Sequence, residues 1–255
     1  MKAGIFALIV GLAVLTAWSV FAPGGRGSDL LISDAVITPL DTGEMALLAR
    51  ITNSGAPDRL IEADIGDVRA QLYDPAQAGR LPVPQGSVAL ALDGAHVRVP
   101  GFASTDGALI PVELTFESAG KLRLKARLSD PKARGDAQEV GLFGLGDICR
   151  VGDGEPAPKL SLSVIPEGDG WRVNINADDF TFSEDLVGLY HVPGMGHGHL
   201  YVGGMKLGRL YSPTAYIGAL PKGRHELRVT LNTNDHRAYV VDDTPVTAEA
   251  VIAVD

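Results

Sequence analysis

From Asp29 onward the apolar residues fall into short runs of period two or β-branched character, each closed by turn residues, as expected of strands with one buried face. Leu30–Leu40 and Glu44–Thr52 are joined by Asp41-Thr42-Gly43 and predict a hairpin, which Asn53-Ser54-Gly55-Ala56-Pro57 closes. Further strands are predicted near Leu60–Ile65, Val68–Tyr73, Ser87–Leu92, His96–Val99, Val112–Phe116 and Lys121–Leu128. Between Ser129 and Pro158 the alternation stops, and Asp130-Pro131, Gly135-Asp136 and Gly152-Asp153-Gly154-Glu155-Pro156 mark a boundary. A second series runs through Lys159–Val164, Trp171–Ile175, Phe180–Phe182, His199–Val202, Met205–Tyr211, Glu226–Leu231 and Val246–Val254. The pattern predicts an all-β protein of two β-sandwich domains, at 29–130 and 159–255, with a linker over 131–158.

Ahead of them lies one apolar run, Ala3 to Ala22, uninterrupted by charge and long enough for a helix to cross a bilayer. Lys2 precedes it and Arg26 is the next positive residue, so residues 1–25 read as a membrane anchor with its N-terminus in the cytoplasm and the body outside. The alternative is a signal peptide cleaved after Val20-Phe21-Ala22, which would release the body into the periplasm. A net charge of −9 without a basic cluster argues against nucleic acid as a partner. Cys149 is the only cysteine, so both cores stand without an intramolecular disulfide.

Five of the six histidines lie between residues 191 and 236. The densest stretch, His191-Val-Pro-Gly-Met195-Gly-His197-Gly-His199-Leu-Tyr-Val, separates imidazoles and a thioether mainly by glycine. With Gly203-Gly204 as a two-residue turn, Val202 is expected opposite Met205, Tyr201 opposite Lys206, Leu200 opposite Leu207 and His199 opposite Gly208. Leu200, Val202, Met205 and Leu207 then share an apolar face, and His197, His199, Tyr201 and Lys206 share an outward one. Same-face neighbours on a strand are about 6.6 Å apart, a span that two imidazoles close on one ion. His236, His191 and Met195 are the candidate further ligands, while Met205 reads as core and His225 as the core's rim. Imidazoles with a thioether suit copper as Cu(I) or Cu(II) better than zinc, and the cluster lacks the carboxylates that calcium wants.

Four segments carry a resemblance: Ile32-Ser-Asp-Ala-Val, Ala49-Arg-Ile-Thr-Asn-Ser-Gly-Ala-Pro-Asp-Arg-Leu, Gly94-Ala-His-Val-Arg, and Val112-Glu-Leu-Thr-Phe-Glu-Ser-Ala-Gly-Lys. On these residues the first domain resembles the periplasmic copper chaperones usually called PCu(A)C. The resemblance implies a cupredoxin-like sandwich binding copper through two histidines and two methionines. The ligand positions differ, however. Leu72-Tyr73-Asp74 stands where the family has its first histidine, no methionine lies between Asp74 and Val88, and the late His-x-Met is His96-Val97-Arg98. The second domain, Ig-like or cupredoxin-like, looks like a module of exported bacterial proteins with the pattern of residues 191–202, 220–225 and 231–236.

Together these readings predict a copper-binding protein, a chaperone or delivery factor held at the inner membrane through residues 3–22. Its expected partner is a copper-accepting membrane protein such as a respiratory oxidase. A non-catalytic accessory subunit of a membrane complex is the alternative. Enzyme activity is not expected: Ser183, Asp185 and His191 are close in sequence, but no nucleophile elbow surrounds them.

Overall fold

The computed structural model describes residues 29–75, 79–129 and 148–255. The apolar run 3–22, and with it the predicted anchor, lies outside them. Among the described residues no helix is long and apolar enough to cross a membrane.

The chain is all-β. In the first domain β1 (Leu30–Pro39) and β2 (Glu44–Asn53) form the predicted hairpin. The pairings then run from β2 to β7 (His96–Pro100), β4 (Val68–Tyr73), β3 (Asp58–Ile65), β8 (Leu109–Phe116) and β9 (Gly120–Leu128). A short parallel contact, Val36 opposite Arg127, returns β9 to β1, so the sandwich closes on itself without a free edge on this ring. β5 (Leu81–Val83) pairs with β3, and β6 (Gly86–Leu90) pairs with β2. Inward-facing Ile37, Leu47, Ile51, Leu60, Leu114 and Phe116 form the buried core.

The second domain packs two sheets over a core of its own. One holds β11 (Lys159–Glu167), β12 (Gly170–Asp178) and β16 (Thr214–Ile217). The other places β15 (Met205–Leu210), β14 (Met195–Val202), β17 (Gly223–Thr233) and β20 (Thr247–Val254) side by side. β13 (Thr181–Phe182) and β18 (Ala238–Val241) extend this sheet at the far end of β14 and β17, and the short β19 (Thr244–Pro245) pairs with β18. Val173, Ile175, Leu200, Val202, Leu227 and Val229 fill the space between the sheets. Within the stretch read as a linker, Ile148–Arg150 forms β10, which pairs in parallel with β18.

The domains are joined by more than chain connectivity. Lys206 on β15 pairs with Ala89 on β6, the Ala95 amide donates to the Gly204 carbonyl at 2.7 Å, and the Gln85 amide donates to the Ala219 carbonyl at 3.0 Å. Backbones approach so closely that a Cβ on Gly94 would lie 2.6 Å from the Gly204 carbonyl oxygen. Met205 is the clearest correction to the sequence reading. It is core, as expected, but the core that buries it completely is the first domain's.

Candidate metal centre

β14 alternates glycine with imidazole, and the two sets do different work. Gly196 and Gly198 share the parity of Leu200 and Val202 on the side of the inter-sheet core. The backbone of β17 passes so close to Gly196 that a Cβ there would meet the Asn232 carbonyl oxygen at 1.9 Å, so only glycine fits. His197, His199 and Tyr201 project from the opposite side, with Met195 at the same parity.

The hairpin register departs from expectation at one point. Val202 and Tyr201 face Met205 and Lys206 as predicted, but a bulge at Leu207 puts Gly208 opposite Leu200 and Arg209 opposite His199. The space beside His199 is therefore not left open by a glycine; a guanidinium-bearing residue stands across from it. A second correction concerns exposure. Strand parity turns the histidine face outward, yet His197 and His199 are buried, at 0% and 6% exposure. The first domain supplies part of the cover through its turn between β6 and β7.

His197 Nε2 and His199 Nε2 lie 3.1 Å apart. His236 brings its ring edge-on to that of His197, with centroids 4.9 Å apart, and one ring nitrogen from each of the three histidines lies within 4.8 Å of the others. Its backbone is held in the left-handed region at φ 69°, a conformation that costs a non-glycine residue about 1–3 kcal/mol. The turn that imposes it is heavily bonded. The His236 amide donates to the Thr233 carbonyl at 3.0 Å, the Thr233 amide to the Arg237 carbonyl at 2.8 Å, and the Arg237 amide to Thr233 Oγ1 at 3.0 Å.

Around these imidazoles the charge is arranged to keep them neutral. Burial first, then the neighbouring imidazoles and the Arg209 and Lys206 cations, hold the pKa of His197 down to about 2. His236 is held at about 4, by burial and then by Arg209. Burial likewise lowers His199, against the opposing pull of Asp93. Neutral imidazole is the form that binds a metal.

One polar contact reaches the cluster from the first domain. Asp93 Oδ2 lies 3.0 Å from His199 Nδ1, accepts from the Tyr201 hydroxyl at 2.9 Å, and is ion-paired with Lys206. Burial pushes the Asp93 carboxyl up, but the bonds from His199 and Lys206 outweigh it and hold the group well below the usual carboxylate range. Sequence reasoning missed Asp93, because Asp93-Gly94 reads as an ordinary turn.

The donor chemistry fits one metal ion. Two nitrogens bound to one ion at about 2.0 Å each are separated by about 2.8–3.3 Å for angles from a right angle to the tetrahedral value, and the His197–His199 spacing falls inside that range. His197 Nδ1 is buried without a hydrogen-bond partner. Apart from Met195, which shares the side of His197 and His199 on β14, the other sequence candidates fall elsewhere. His191 lies beside Cys149, with Nε2 3.7 Å from Sγ, and outside the three-histidine group. Met195 opens β14, and its carbonyl accepts from the Tyr239 hydroxyl at 2.9 Å. His225 bonds through Nε2 to the Pro221 carbonyl at the edge of the core. His96 in the first domain is buried with both ring nitrogens occupied: Nδ1 lies 3.0 Å from the Gly94 carbonyl oxygen, and Nε2 accepts from Arg98 Nε at 2.9 Å.

No protein-family model matches the chain, and no curated protein matches it. Among solved structures, the copper-bound PCuAC domain from PmoF2 is 25% identical over 41% of this chain and 95% of that one, with a TM-score of 0.37. The apo PCuAC domain from PmoF1 is 23% identical over 41% of this chain and 96% of that one, also at 0.37. The N-terminal periplasmic domain of ScsB from Proteus mirabilis is 8% identical over 91% of this chain and 96% of that one, at 0.25. Likenesses this distant assign no chemistry to the chain, which rests instead on the geometry of the three imidazoles.

Proposed function

We propose that the chain is a copper-binding protein whose second domain carries the ion as cargo, a chaperone or delivery factor working on the periplasmic side of the inner membrane. The observation that carries the reading is the opposed pair of buried ring nitrogens, His197 Nε2 and His199 Nε2, 3.1 Å apart with His236 alongside. His197, His199 and His236 would hold the ion, and Met195, on the same side of β14, would offer a soft fourth donor. Copper is preferred to zinc because imidazole donors bind Cu(II) more tightly than any other first-row divalent ion, and a thioether suits Cu(I). With the imidazoles already neutral, loading displaces no side-chain proton from them. The proposed recipient is a membrane protein that needs copper, such as a respiratory oxidase. An anchor at residues 3–22 would raise the local concentration of donor at that recipient.

The test is metal analysis of the purified chain after exposure to equimolar copper and zinc. One tightly held copper per chain is expected, lost in the His197→Ala/His199→Ala double variant and kept in His225→Gln, whose ring bonds to the Pro221 carbonyl away from the cluster. Zinc in place of copper would refute the choice of metal, and uptake unaffected by the double replacement would refute the site.

A further inference from the structure

Asp93 stands on the first domain, and every other polar group it meets through its side chain stands on the second. We propose that Asp93 is a positioning residue for the metal site, fixing His199 in the tautomer whose Nε2 lone pair faces the ion. The inference rests on the copper reading of this site and extends the site from one domain to two.

The tautomer follows from what faces Nδ1. His199 Nδ1 has two polar neighbours, Asp93 Oδ2 at 3.0 Å and the Tyr201 hydroxyl oxygen at 3.2 Å. An ionised carboxylate only accepts hydrogen bonds, and the Tyr201 hydroxyl makes its shorter contact with that carboxylate, at 2.9 Å. A bare Nδ1 would set its lone pair against the carboxylate oxygen at 3.0 Å, so the proton belongs on Nδ1. A neutral imidazole protonated on Nδ1 is bare on Nε2, the atom that faces His197 Nε2. A carboxylate behind a metal-binding histidine does this work in other metal sites: it selects the tautomer, locks the ring's orientation and raises the basicity of the bound nitrogen.

The turn carrying Asp93 is braced for the task. The Ala91 amide donates to the Ala95 carbonyl at 2.8 Å, and the Gly94 amide donates to the Ala91 carbonyl at 3.0 Å. His96, beneath the turn, holds the Gly94 carbonyl through Nδ1 and is itself held by Arg98. From the other side the Ala95 amide is bonded to Gly204 of the second domain, and Arg228 reaches the Asp93 carbonyl at 3.4 Å. The imidazole that the first domain retains thus supports the residue that orients an imidazole in the second.

The experiment has two arms on the full chain. Long-range proton–nitrogen NMR of the metal-free wild type is expected to show His199 protonated on Nδ1; protonation on Nε2 would overturn the proposal without any variant or metal. Competition titration with Cu(II) is expected to show Asp93→Asn binding about 10–100-fold more weakly than wild type. Arg59→Met loosens a domain contact remote from Asp93, the bond from Arg59 to the Lys222 carbonyl, and is expected to stay within about threefold of wild type, against the larger loss expected when the carboxylate behind a ligand is removed. Equal losses in the two variants would show a general effect of domain packing and overturn the proposal. A wild type with the Nδ1–H tautomer that takes up no copper would instead sink the copper reading while upholding the orientation of His199.

Discussion

Replacing Met205 by alanine tests whether the two domains form one cooperative unit. Met205 opens β15 in the second domain, yet its side chain is completely buried in the core of the first. The substitution deletes the thioether and its flanking carbons from a site walled by two sheets. Large-to-small changes of this kind cost about 2–5 kcal/mol, the lost transfer energy plus the cavity left behind. The walls here are tied by backbone bonds from Ala95 to Gly204 and from Gln85 to Ala219, so collapse is restricted and about 3 kcal/mol is expected. In a body of this size that lowers the midpoint of thermal unfolding by roughly 6–12 °C.

Trp171, half-buried on β12, reports on the second domain by fluorescence, and far-UV circular dichroism reports on the strands of both. In urea the two signals are expected to move together to lower concentration in Met205→Ala. Met205→Leu, which nearly conserves volume, is expected to lose less than about 1.5 kcal/mol. A variant whose Trp171 signal shifts while the remaining dichroism keeps the wild-type midpoint, or one that loses under about 0.5 kcal/mol, would refute the idea that Met205 binds the domains into one unit.

The site itself sets two more outcomes. Because His197 and His236 are held at about 2 and about 4, below the ordinary value near 6.5, the unfolded chain binds protons that the folded one refuses. Their contribution to stability is complete above about pH 6.5 and is lost as the pH falls from there, through about 4 for His236 and on toward about 2 for His197. Urea midpoints of the metal-free protein are expected to be level from pH 7.5 to 6.5 and to drop by pH 4.5; a flat or rising profile on acidification would contradict the burial of neutral imidazoles. Gly196→Ala would drive a methyl into the Asn232 carbonyl and separate β14 from β17, moving His197 relative to His236. It is expected to destabilise the protein by more than about 1 kcal/mol and weaken copper binding at least tenfold, and a variant matching wild type in both urea unfolding and copper titration would refute the role given to this contact.

Much of the architecture was legible because a strand writes its face assignment directly into sequence parity. Val68–Tyr73 falls on β4 residue for residue, and most other predicted strands overlap observed ones with ends shifted by a few residues. Strands without a clean alternation were missed. Leu81-Pro82-Val83 is buried on every residue, β10 lies inside a turn-rich stretch, and Thr214–Ile217 is short and half-exposed. Parity also placed His197 and His199 on one side, where their nitrogens now stand 3.1 Å apart. The bulge at Leu207 was invisible, since Gly203-Gly204 is compatible with a regular hairpin.

The harder failure was reading the histidine face as outward, and its cause is physical. Parity says which residues share a side of a strand; it does not say what covers that side, and a polar face is assigned to water by default. The residues of β14 and its turn nevertheless held a signal against that default. From Met195 to Met205 there is no charged residue at all, whereas the wet face of a half-buried strand ordinarily carries Lys, Glu, Arg or Asp. A strand without charge on either side is one that something covers on both, and most buried polar groups are partnered. For His199 the cover comes from the first domain and the partner is Asp93. An uncharged polar face on a two-domain chain is therefore reason to look for its acceptor on the other domain, where no local pattern points to it.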